Sequence, residues 1–196
     1  HILSAQLVLN VSHTAVAVSF DVTAHRVLRD WGEGTSNASG QEGQGAPATT
    51  NDATWRHALY PGTLWTNLGG DFAPLPSCAI STPSLGIATS PITGTMNADV
   101  RGWLANPAQN FGWLIKTDEL IPYKTRRFDS RETGVGNIKP SLIVSYLVPG
   151  QAAAPFGQGC PVNGSPFTYA LSGLPIGGNA AQLVQGNGPA GAMAAN

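Results

Sequence analysis

The sequence predicts an all-β protein, an antiparallel jelly-roll-like β-sandwich with one short helix. Two observations carry that expectation. Apolar side chains recur at every second residue in Phe111, Trp113 and Ile115, and again in Leu142, Val144 and Tyr146. That is the spacing of a strand with one wet face. The composition is also rich in turn formers, with 24 Gly and 15 Pro in 196 residues and only 11% charged. Such a mix suits short strands joined by loops better than helices.

The elements follow in order. Ile2 to Val11 and Val16 to Val22 read as two alternating strands joined by Ser12, His13 and Thr14. Residues 32–54 form a long polar, Gly-rich insertion, and long insertions in compact domains are usually functional. Trp55 to Tyr60 resumes a strand, which Pro61-Gly62 turns. Residues 66–96 read as irregular, with short strands around Ala79 and Ile87. Asn97-Ala98-Asp99 caps a short helix over residues 98–105, with Val100, Trp103 and Leu104 on one face, and Asn106-Pro107 stops it. In a following strand Arg127, Asp129 and Arg131 share one face, opposite Arg126, Phe128, Ser130 and Glu132. Pro140 opens the last strand, because a first residue need not donate to the ladder. Trp103, Trp113, Phe128 and Tyr146 are expected in the core, as are Trp31 and Trp55.

These blocks resemble, in order, the C-terminal half of the DNRLRE family. The matching pieces are Asp99-Val100 with Trp103, Asn110-Phe111-Gly112, Phe128 to Glu132, and Pro140 to Tyr146. Upstream, AQLVLNV, HRVLRDWGEGTSNASGQEGQGAP and DATWRHALYPGTLW fit a subgroup with a Gly-rich insertion after its first Trp. The resemblance implies a non-catalytic β-sandwich at residues 1–148 that lacks the family's N-terminal strands. Residues 149–155 would be a linker. Residues 156–196 resemble the opening of a small β module, cut short, of the kind seen in secreted proteins of environmental bacteria. Family members are similar to carbohydrate-binding modules of secreted and surface proteins, and some relatives bind alginate. The implied setting is therefore extracellular or at the cell surface, and the implied function is binding or adhesion.

The residues themselves narrow the chemistry. A net charge of -1 gives no reason to expect nucleic acid, and no apolar run is long enough to span a membrane. There is no Gly-x-Ser-x-Gly, His-Glu-x-x-His or Cys-x-x-Cys, so nothing specific marks a hydrolase or a metalloenzyme. Cys78 and Cys160 could form one disulfide, or neither could pair. Asp30, Glu33, Glu42 and Asp52 bracket the insertion and could supply oxygens to Ca²⁺; the alternative is that they are solvated loop carboxylates. Lys116, Lys124, Arg126, Arg127, Arg131 and Lys139 concentrate positive charge in one stretch. They are candidates for gripping an anionic polysaccharide through carboxylates or sulfates, or for pairing with carboxylates across strands. Trp65, in PGTLWTNLGG, is the tryptophan expected to be exposed, where its ring could stack on a sugar. Beyond Lys139 no residue is charged. That tail and open strand edges suggest a second class of function, a structural subunit that self-associates.

Overall fold

The computed structural model describes residues 1–38, 45–118, 124–134 and 138–147, and the backbone of strands at 155–158, 168–172 and 182–186. Among these residues the chain forms twelve strands and one α-helix. In order they are β1 (Ile2–Thr14), β2 (Phe20–Arg26), β3 (His57–Leu59), β4 (Thr63–Leu64), β5 (Cys78–Thr82), β6 (Gly86–Thr89), α1 (Gly94–Ala105), β7 (Trp113–Lys116), β8 (Arg126–Phe128), β9 (Ser141–Tyr146), β10 (Pro155–Gln158), β11 (Thr168–Ser172) and β12 (Gln182–Gly186). Every strand pair whose register is defined is antiparallel, so the protein is all-β, with one short α-helix among the described residues. No helix among the described residues is long and apolar enough to cross a membrane.

Two compact units divide the chain, Ser4–Val144 and, separately, His1–Leu3 with Ser145–Asn196. The larger unit is a sandwich. One sheet has the order β6-β1-β8, with β9 also pairing β1, and the other has the order β5-β2-β7. Side chains from both sheets make one core: Ala5 and Leu9 from β1, Val22 and Ala24 from β2, Ile80 from β5, Ala88 from β6. Ile80 and Met96 of α1 are fully buried. The smaller unit holds the sheet β10-β11-β12, and within it the backbones of His1 and Leu147 exchange hydrogen bonds of 2.9 and 2.7 Å.

Three expectations are corrected. Ser12, His13 and Thr14 are not a turn: β1 runs on to Thr14, and β2 belongs to the other sheet. Thr14 and His13 pair with Arg126 and Arg127, and the register shifts between Val11 and His13. Ser12 is thus the extra residue of a bulge, and its hydroxyl stays satisfied on the β8 backbone. The helix begins four residues earlier than its expected start, because Thr93 rather than Asn97 is its cap, accepting from Met96 N at 3.1 Å. Asn97 instead accepts the N–H of Ala5 at 2.7 Å, tying helix to sheet. Met96, Val100 and Trp103 therefore form the inward stripe, while Leu104 is exposed.

The third correction concerns β9. Leu142, Ile143 and Tyr146 are all exposed, so Tyr146 is not a core residue. Alternation says which side chains share a face, not whether anything covers that face. Trp103 is buried as expected, and Trp113 and Phe128 pack against the core.

Candidate functional site

The loops between β2 and β5, together with β7, build a concavity rich in aromatic and apolar side chains. A cleft of about 210 Å³ is lined by Val27, Trp31, Ala53, Trp65, Trp113 and Leu114. β7 supplies Trp113 and Leu114, which pair with Arg26 and His25 of β2. Trp65 follows the short β3–β4 hairpin, whose turn contains a cis Tyr60–Pro61 peptide bond. Its backbone N–H donates to Arg56 O and its indole Nε1 donates to Thr54 O, at 3.0 and 2.9 Å. Trp31 Nε1 donates to Phe111 O at 2.8 Å. Trp113 Nε1 donates to Asp99 and Ser77, at 2.9 and 3.0 Å. All three indole N–H groups are thus engaged by the protein, and what the rings offer a ligand is carbon surface.

The tryptophans are distributed differently from the sequence expectation. Trp31 and Trp55 are 42% and 62% exposed rather than core, whereas Trp65 is half-buried. Trp55 leaves the strand because Thr54 Oγ1 accepts from the N–H groups of both Arg56 and His57, bending the chain before β3 starts.

Asp71 positions the Trp65 loop. Its buried carboxylate accepts from Thr66 N and Asn67 N, both at 2.9 Å, and Arg29 lies at 3.5 Å. Burial alone would raise its pKa, but these donors outweigh it and hold the group at about 2 instead of 3.8. A depressed folded-state pKa contributes stability that is full above the ordinary value and is lost as pH falls through about 2. Trp65 is therefore expected to lose its fixed environment over that window, seen as a falling near-ultraviolet circular dichroism signal. Asp71→Asn should flatten that part of the pH profile, and an unchanged profile would remove Asp71 from the role.

The insertion is anchored at both described ends. Gly32 N donates to Ala58 O and Ala53 N to Gly32 O, at 2.9 and 2.8 Å. Asp52 is buried and accepts from Thr49 N at 2.5 Å and Ser36 N at 3.4 Å, and the Thr49 N–H holds its carboxyl below the usual range. Gly34, at φ +62°, passes so close to that carboxylate that any side chain would collide with it. Asp30 and Glu33 are exposed, Asp30 accepting from Trp31 N and Glu33 pairing with Arg131. Glu42 lies outside the described residues. Among the described residues no three His, Cys, Asp or Glu gather as a metal site. Cys78 is a buried free thiol whose pKa burial raises, and its candidate partner Cys160 lies outside the described residues.

The basic stretch is divided among several settings. Lys116, Lys124 and Arg126 line one cleft of about 110 Å³ with Phe20 and Phe128. There Arg126 lies 3.8 Å from the Phe20 ring centroid and donates to Thr14 Oγ1 and Val18 O, and burial lowers its pKa. Lys124 pairs with Asp118 at 2.8 Å, and Lys116 lies 5.3 Å from the Phe72 ring centroid. Arg127 lines a different cleft with Asp129 and Glu132 and donates to Ser12 Oγ at 3.1 Å. Arg131 is bridged to both Glu33 and Glu132, and Lys139 is exposed. Most of these cations thus have a protein partner, and the carboxylates that pair with Lys124 and Arg131 lie outside the strands.

Asp71 was not singled out from the sequence, although an Asp closing the turn-rich TNLGGD segment is a recognisable signal for capping loop N–H groups. No protein-family model, curated protein or solved structure matches the chain.

Proposed function

We infer that this chain is a non-catalytic extracellular module of a larger secreted or surface protein, and that it binds carbohydrate at the tryptophan cleft. The carrying observation is the cleft itself, three indoles whose N–H groups are all engaged and whose ring carbons line one concavity. Aromatic surface held rigidly by hydrogen bonds is suited to the C–H face of a sugar, because little side-chain freedom is lost on binding. The resemblance to the DNRLRE family supports the same reading. Among the described residues four polar side chains with little exposure are engaged in structure: His25 is bonded to Ala73 O and Thr23 Oγ1, and Asp52, Asp71 and Asp99 cap loops or join elements.

A glycan array of neutral and anionic polysaccharides tests the proposal. Binding at the cleft should persist at high salt, where a charge-gripped ligand would be released as the Debye length falls to about 3 Å at 1 M. Trp31→Ala should weaken binding about ten-fold, the equivalent of about 1.4 kcal/mol, with the thermal midpoint little changed because the ring is 42% exposed. Salt-sensitive binding that survives Trp31→Ala would transfer the site to the basic stretch and an anionic polysaccharide. The exposed apolar residues of β9, Leu142, Ile143 and Tyr146, favour a second reading, self-association in a structural assembly. Light scattering that shows growing assemblies, with no glycan bound, would favour that one.

A further inference from the structure

Beside the cleft stands a further indole with a different geometry. Trp55 is the most exposed of the five tryptophans, at 62%. Its ring nonetheless has a firm backing. Gly69, at φ +87°, lies against it so closely that a Cβ there would stand 2.8 Å from Cη2 and Cζ3 of the ring. The Gly69 N–H also donates to the Trp55 carbonyl at 2.8 Å. The benzo end of the ring lies against the Gly69 backbone while the residue as a whole stays open to solvent. Thr54, the residue before it, accepts from Trp65 Nε1 at 2.9 Å. With a planar trans peptide, that places the Trp55 Cα within about 6 Å of the Trp65 indole nitrogen.

We propose that Trp55 is a second stacking station for the ligand of the tryptophan cleft, so that the ligand is a chain of β-linked, gluco-configured pyranoses rather than a single sugar. This rests on the carbohydrate-binding reading above. Trp55 lies outside the lining of the cleft, so the two stations together offer stacking surface to more than one ring, which rewards a chain. The configuration follows from the donors. A pyranose with every substituent equatorial carries only axial C–H groups on both faces and can lie flat on an indole either way up. An axial hydroxyl pressed onto a ring would lose water without gaining a partner, since the cleft's indole N–H groups are already engaged. A protein partner would need about 800 Å² of covered surface, whereas the exposed residues near Trp55 are mixed, with polar Arg56, Thr66 and Asn67 beside Leu64 and Leu68.

The test is calorimetric titration of the full chain with glucose, cellobiose and cellotetraose, with circular dichroism confirming that each variant is folded. Affinity should rise ten-fold or more from glucose to cellotetraose. Trp55→Ala should remove most of that gain while leaving the weaker short-ligand binding, and Trp55→Phe should restore part of it. Gly69→Ala should act like Trp55→Ala, because its Cβ displaces the ring. A length dependence unchanged by Trp55→Ala, with binding still lost in Trp31→Ala, overturns the second station and leaves the carbohydrate reading intact. Binding of some other glycan class but no cello-oligosaccharide overturns the configuration alone. No binding to any glycan overturns both. A mass that grows with concentration and falls in Trp55→Ala would reassign the ring, with Leu64 and Leu68, to self-association.

Discussion

Trp103→Ala is expected to lower the unfolding free energy by about 3–5 kcal/mol, the usual range for emptying a buried aromatic site. Trp103 is 8% exposed and stands on the inward stripe of α1 with Met96 and Val100. Its ring meets Trp113 edge-on at a centroid distance of 4.4 Å and an interplanar angle of 61°. Such a pair adds about 0.5–1.5 kcal/mol beyond area burial. The hole cannot close easily, because Thr93 and Asn97 pin the helix to the Ser77 carbonyl and the Ala5 N–H. The indole Nε1 of Trp103 has no acceptor, so Trp103→Phe forfeits no hydrogen bond and should cost much less than alanine. A urea melt of the two variants checks this. A loss below about 1 kcal/mol for alanine is what an exposed site would give, and would remove the ring from the core.

How far this structure could be read from sequence depends on what each signal measures. Period two in Phe111, Trp113 and Ile115 correctly located a strand, and Ala79 and Ile87 correctly marked two more, because pleat geometry leaves its imprint on every second residue. The same signal misjudged Tyr146, since alternation is silent about what lies opposite a face. Thr54 and Thr93 decided where a strand and a helix begin, through single side-chain hydrogen bonds that compete with several equally polar neighbours in the sequence. The candidate site was only partly legible for a related reason. Trp65 was singled out as an exposed ring, whereas it is half-buried, and the cleft is assembled from Trp31, Trp65 and Trp113, which are far apart in the chain. Their meeting depends on loop anchors such as Asp71 and Asp52, whose partners are backbone N–H groups that look alike at every position.

Asp99→Ala is expected to cost about 3 kcal/mol and to weaken ligand binding as well, because one carboxylate joins four parts of the sandwich. Its side chain is 9% exposed and lies 3.1 Å from Arg26 Nε of β2. It accepts from Trp113 Nε1 of β7 at 2.9 Å and from Ser77 Oγ, just before β5, at 2.5 Å, while it projects from α1. Hydrogen bonds to a charged acceptor contribute about 1.5–3 kcal/mol each, and they are not additive when they share one group. The Arg26 contact is the lesser part, since that side chain is 40% exposed and water can replace the carboxylate. The loss falls on Ser77, which is buried, and on Trp113, which is half-buried, because their donors are left with poorer partners. Asp99→Asn keeps an oxygen acceptor in place and should cost distinctly less. Because Trp113 lines the cleft, a ring released from Asp99 also blurs the surface that meets the ligand. Chemical melts and titration of the same variants separate the two effects. Binding that tracks the alanine variant's loss while the asparagine variant retains it identifies Asp99 as the group that positions Trp113. Alanine within about 1 kcal/mol of the parent would mean that Ser77 alone suffices to hold the ring.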